Sequence, residues 1–91
     1  MTLHLIQKSP FTHSALKDCL DFIDSNDIIL LMQDGALACQ HSLLQNIEHA
    51  TYVLSDDLSA RSLQIRGNIQ AIDYKDFVDL CASSTRVISW Y

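Results

Sequence analysis

Five apolar residues in a row, Ile28-Ile29-Leu30-Leu31-Met32, stand between Asp27 and the turn triplet Gln33-Asp34-Gly35. An unbroken run of this kind, without polar alternation, suits a strand covered on both faces. It is far too short to cross a bilayer. It therefore predicts a buried parallel strand, and parallel strands need crossover connections that place helices on the sheet.

The flanking segments supply those helices and the remaining strands. Leu3 to Gln7 reads as a first strand, stopped by Lys8-Ser9-Pro10, where Pro10 biases its neighbour toward extended geometry. Thr12 or Ser14 can cap a following helix whose apolar face is Leu16, Cys19, Leu20 and Ile23. Cys39, Leu43, Leu44 and Ile47 predict a second helix over 36–49. Thr51 to Leu54 is β-branched and aromatic, and reads as a third strand. Ser55 is placed to cap a short third helix. Gly67-Asn68 signals a turn before a fourth strand, Ile69 to Ile72. Asp73 and Asp76 stand at the cap and third positions of a last helix, with Tyr74, Phe77, Val78 and Cys81 on its face. Arg86 to Trp90 closes the pattern as a fifth strand. Strands alternating with helices predict one domain over 1–91. Its expected architecture is three-layer α/β: an open, mainly parallel five-stranded sheet with helices on both faces, flavodoxin-like. A site in such a sheet is expected at the carboxyl ends of the strands. Those ends carry Lys8-Ser9, Gln33-Asp34, Ser55-Asp56 and Asp73.

Charge and cysteine usage narrow the function. The formal net charge is −5, and the six basic residues are scattered. Direct nucleic-acid binding, which needs clustered Lys and Arg, is not expected. Three cysteines with no C-x-x-C pair suit a reducing compartment. With neither a signal-peptide pattern nor a membrane span, a cytoplasmic location is expected.

Cys19 is the foremost chemical candidate, as a possible sulfur carrier. A thiolate near a helix N-terminus or a cation gains nucleophilicity. Against this, Lys17 is two residues away and points elsewhere, and Cys19 lies on the apolar stripe, where packing suffices. Cys39 and Cys81 also lie on apolar faces. His4, His41 and His49 match no metal-ligand spacing, so no metal is expected. Ser9, Thr12 and Ser14 lack a glycine-rich cradle; capping is the economical role, and no cofactor is expected. Asp57 and Arg61, four apart, can form an ion pair of about 0.3–0.5 kcal/mol. Asp34 is most simply a turn residue. Trp90 and Tyr91 end the chain as two large aromatics; packing over the sheet edge and an oligomer interface both remain open.

Several of these segments together resemble the TusB/DsrH family. They are Leu3-His4 with Lys8-Ser9-Pro10-Phe11, then Gln33-Asp34-Gly35, then Tyr52-Val53-Leu54 followed by Asp57-Leu58-Ser59-Ala60-Arg61. Ile72-Asp73-Tyr74 with Phe77-Val78, and the terminal Trp90-Tyr91, complete the set. The resemblance covers essentially the whole chain. It implies a DsrE-type fold and a subunit of a sulfur-relay complex, itself non-catalytic. The partners implied are TusC-like and TusD-like subunits in a heterohexamer, with TusA-like and TusE-like proteins reached through the complex. Such an assembly passes persulfide sulfur for 2-thiolation of the wobble uridine in tRNA. The Dsr branch instead serves sulfur oxidation. DsrH-type members resemble this chain through Ser14 to Leu20 and carry a cysteine matching Cys19, which some TusB members lack; the match leaves an auxiliary persulfide role open as the alternative. Relatives often show glycine after Arg61, where this chain has Ser62. A stand-alone flavodoxin-like ligand-binding domain is the reading from a different class.

Overall fold

The computed structural model describes residues 1–45 and 47–91. Five strands, β1 (Thr2–Ile6), β2 (Ile28–Leu31), β3 (Ala50–Leu54), β4 (Gln70–Ile72) and β5 (Arg86–Trp90), form one sheet in the order β4-β3-β2-β1-β5. Every pairing is parallel. The apolar run forms β2, the central strand of the five: Ile29, Leu30 and Leu31 are all fully buried, with a strand on each side and a layer on each face. The three-layer α/β architecture expected from the strand and helix alternation is the one observed.

Helix α1 (Ala15–Phe22), a pair of 3₁₀ segments (Gln33–Gln40 and Ser42–Leu44) and α2 (Ser55–Ala60) all lie on one face. There Leu16, Cys19, Ala36, Cys39, Leu44 and Leu58 pack on Ile6, Ile29, Leu31 and Val53. Helix α3 (Tyr74–Ser83) alone covers the other face, where Phe77, Leu80 and Cys81 meet Leu3, Leu5 and Leu30. The topology explains the asymmetry. Three right-handed crossovers step in one direction from β1 to β4 and so share a face; the return from β4 to β5 reverses direction and uses the other.

The structure corrects the expected helix over 36–49. Gln33–Gln40 winds as a 3₁₀ segment, and His41 interrupts it with extended backbone at φ −84°, ψ 141°. Small residues (Gly35, Ala36, Ala38 and Cys39) are the buried ones, so this backbone lies tight against the sheet. A second short segment follows, capped by His41 Nδ1 accepting from the Leu43 amide at 3.1 Å. Asn46, inside the predicted helix, lies outside the described residues. Capping is corrected as well. The Ser14 hydroxyl donates to Asp18 instead of capping α1, and Ser55 is the first residue of α2 rather than its cap. Asp73 does cap α3, accepting from the Asp76 amide at 2.8 Å.

Two backbone positions follow directly from residue type. A Cβ on Gly35 would lie 1.9 Å from the Ile6 carbonyl oxygen, so only glycine lets the 3₁₀ segment pass the end of β1. Ser62 has φ of 51°, in the left-handed region that favours glycine. Gly35→Ala is expected to cost ~2 kcal/mol or more by urea denaturation, since backbone must move to admit the methyl. Ser62→Gly should raise the unfolding free energy by about 0.5–1 kcal/mol, as relief of the left-handed strain outweighs the added unfolded-state freedom.

Candidate functional site

Because all five strands are parallel, their carboxyl ends share one edge, and two loop segments meet there. Asp57, in the first turn of α2, accepts from the Gln33 amide at 2.8 Å. That bond holds Gln33 in its left-handed conformation, φ 53°, at the exit of β2. Arg61, at the C-cap of α2, reaches Asp57 Oδ1 at 3.3 Å through Nη1 and Asp34 Oδ1 at 2.9 Å through Nη2. The pair expected between Asp57 and Arg61 is thus a three-residue clamp that also ties Asp34. Asp34 therefore does more than turn the chain: it is an acceptor for Arg61 across the gap between the β2 and β3 loops. Both carboxylates are engaged by one guanidinium, so the clamp fixes the geometry of the two loops.

A second polar cluster lies on the face covered by α1. His4 is wholly buried in β1. Its Nε2 is 2.9 Å from Asp27 Oδ2, and its Nδ1 is 3.0 Å from Trp90 Nε1. An indole nitrogen can only donate, so Nδ1 accepts and the ring proton sits on Nε2, donating to Asp27. Asp27 also accepts from the Thr2 amide at 2.9 Å and the Asp24 amide at 3.2 Å. Burial by itself would raise the Asp27 carboxyl, but the bonds from His4, Thr2 and Asp24 outweigh it and hold it at about 2. Phe22 meets both the His4 and Trp90 rings edge-on. Trp90 is therefore an intramolecular residue, joined to β1 at the far end of the sequence, whereas Tyr91 is 78% exposed.

Cys19 lies beside this cluster on the inner face of α1 and is fully buried. Desolvation, with the Asp27 charge added to it, pushes its thiol up to about 12. Cys39 and Cys81 are also raised by burial. Cys39 Sγ lies 3.6 Å from the Gln64 carbonyl oxygen. Arg66 favours the Cys39 thiolate, but burial outweighs it, and the charge acting on Cys19 is the Asp27 anion. His41 and His49 do not share a helix. The loop after β1 satisfies itself: the Ser9 hydroxyl accepts from the Phe11 amide at 3.2 Å, and the Ser9 carbonyl accepts from His13 at 3.0 Å. Phe11 is exposed and leans on the His41 ring at 5.1 Å. Among the described residues, no three His, Cys, Asp or Glu side chains converge to hold a metal ion.

The cluster that sequence reasoning missed is His4–Asp27–Trp90. Its residues lie 23 and 86 positions apart, and the only signal was an Asp at the head of an apolar strand and a Trp at the chain end. Three outcomes follow from the geometry. Asp57→Ala should cost about 1–2 kcal/mol, because the Gln33 amide loses its partner, and more than Arg61→Ala, whose Asp34 partner is solvated. Trp90→Phe should cost about 1–3 kcal/mol, leaving Nδ1 of His4 buried without a donor. The Asp27 carboxyl is held below its ordinary 3.8, so its contribution is complete above about pH 4 and is lost as pH falls through about 2. The melting temperature should fall across that window, and Asp27→Asn should flatten the fall.

Comparison with known proteins is consistent across sequence and structure. The family model described as DsrH like protein matches residues 8–87. The chain is 34% identical to Protein TusB of Pectobacterium parmentieri, covering 97% of this chain and 99% of that one. It is 37% identical to Protein TusB of Yersinia pestis (strain Pestoides F), again over 97% and 99%. Among solved structures, protein Tm0979 from Thermotoga maritima superposes with a TM-score of 0.71 at 25% identity, covering 90% of this chain and 92% of that one. The ychN protein from E. coli superposes with a TM-score of 0.76 over 97% of each chain at 9% identity, a likeness of fold alone. A family model spanning most of the chain, near-full-length relatives and a shared α/β fold agree: the chain belongs to the DsrH-like family, among relatives that carry the name TusB.

Proposed function

We propose that the protein is a non-catalytic subunit of a cytoplasmic sulfur-relay complex that serves 2-thiolation of wobble uridine in tRNA. Family membership supports the relay role. The observation that carries the non-catalytic part is the state of Cys19: wholly buried, raised to about 12, and beside an anion rather than a cation. A sulfur carrier needs an accessible thiolate, and this one meets neither requirement. The subunit contributes surface and rigidity beside a TusC-like partner, and the TusD-like partner contributes the reactive cysteine. TusA-like and TusE-like proteins engage the assembled complex. The net charge of −5 and dispersed cations support contact with tRNA through partners only. No helix among the described residues is long and apolar enough to cross a membrane.

The test is genetic and chemical. Loss of the gene should deplete 2-thiouridine at the wobble position, measured by mass spectrometry of digested tRNA. Cys19→Ser should restore it fully. Failure of Cys19→Ser, expressed and folded at wild-type level, would instead assign the persulfide to Cys19. Unchanged thiolation in the deletion strain would point to the sulfur-oxidation branch.

A further inference from the structure

The two faces of the sheet are unequally covered. Five strands spaced about 4.8 Å apart span roughly 19 Å between edge axes, whereas one helix covers about 10 Å. Four helical segments cover the first face, but α3 is alone on the second. No residue of α3 is fully buried. Beside it, over β3 and β4, lies an open hollow of about 380 Å³ with Tyr52, Ile72 and Leu80 lining it and Asp76, Asp79 and Ser83 along its α3 wall. A second hollow of about 200 Å³ shares Tyr52 and continues toward Ala50, Asn68 and Gln70. The space left is that of one more helix laid alongside α3.

Charge specifies the occupant. Asp76 and Asp79 make no ion pair among the described residues, so the wall of an apolar groove carries two unneutralised carboxylates. A second copy, packed here across a two-fold axis, would set these aspartates near their own equivalents. A partner with apolar residues and a cation on one helix face satisfies both the groove and its wall. We propose that the half-covered face beside α3 is a docking site for an amphipathic helix of a different protein, one presenting Lys or Arg between apolar side chains. The inference rests on the relay-subunit reading for the partner's identity, which would be a fellow subunit of the complex.

The experiment compares wild type with Asp79→Lys, Ser83→Trp and Asp21→Lys, each expressed as the tagged full chain in its own cells. Intact complexes are weighed by native mass spectrometry and titrated with free subunits. Asp79→Lys reverses the wall charge and Ser83→Trp fills the groove. Asp21→Lys makes the same charge change on exposed α1, across the sheet, and serves as control. Circular dichroism checks that each folds. The groove variants should weaken assembly about tenfold or more, while Asp21→Lys assembles normally. If wild type and all three variants assemble equally, the groove is not the docking site and the relay reading stands. If wild type itself captures no fellow subunit, the relay reading fails first. A homodimer of the isolated chain that Asp79→Lys disrupts would give the groove to a second copy and overturn the proposal.

Discussion

One buried carboxylate ties together the parts of the sheet that the chain makes furthest apart. Asp27 takes the amide of Thr2 at the start of β1, the amide of Asp24 in the turn before β2, and the Nε2 proton of His4. His4 in turn receives the indole proton of Trp90 at the end of β5. A buried charge without such partners would be costly; with them it orders the first and last strands around the centre. The network also settles the environment of Cys19. The same anion that organises β1 and β5 stands near the thiol and opposes its ionisation. The interaction that builds the fold therefore works against thiolate chemistry at Cys19.

The division of roles follows from this. At the carboxyl edge of the sheet, where α/β folds commonly bind ligands, the Arg61 guanidinium bridges the Asp34 and Asp57 carboxylates and holds the β2 and β3 loops in place. On the first face the core is closed. On the second, α3 leaves apolar strand surface and two carboxylates facing outward. With Cys19 buried, the edge carboxylates tied to Arg61, and an apolar hollow with a charged wall left open, the chain is suited to assembly. Membership of the DsrH-like family supplies the setting in which that assembly has a purpose.

Much of the fold was legible in residue order. The apolar run at Ile28 marked a strand buried on both faces, and Asp73 marked the start of α3. Period alone failed for the segment over 36–49, because Cys39, Leu43 and Leu44 fit a 3.6-residue stripe while Gly35, Ala36 and Ala38 let the backbone press against the sheet as a 3₁₀ turn. Asp57 and Arg61 were visible as a local pair, since four residues on a helix are neighbours. Their reach to Gln33 and Asp34 was not visible, because no local rule relates loops 24 and 27 residues apart. The His4–Trp90 bond lay further still beyond local pattern. Family likeness carried the functional setting; packing carried the fate of Cys19.

The central claim is that this chain acts by joining other subunits. Native mass spectrometry of the tagged protein, purified gently from its own cells, addresses it most directly. The account predicts recovery with two similarly small, related subunits in equal copies. Recovery as a lone monomer, under conditions that keep other complexes of the same cells intact, would contradict it.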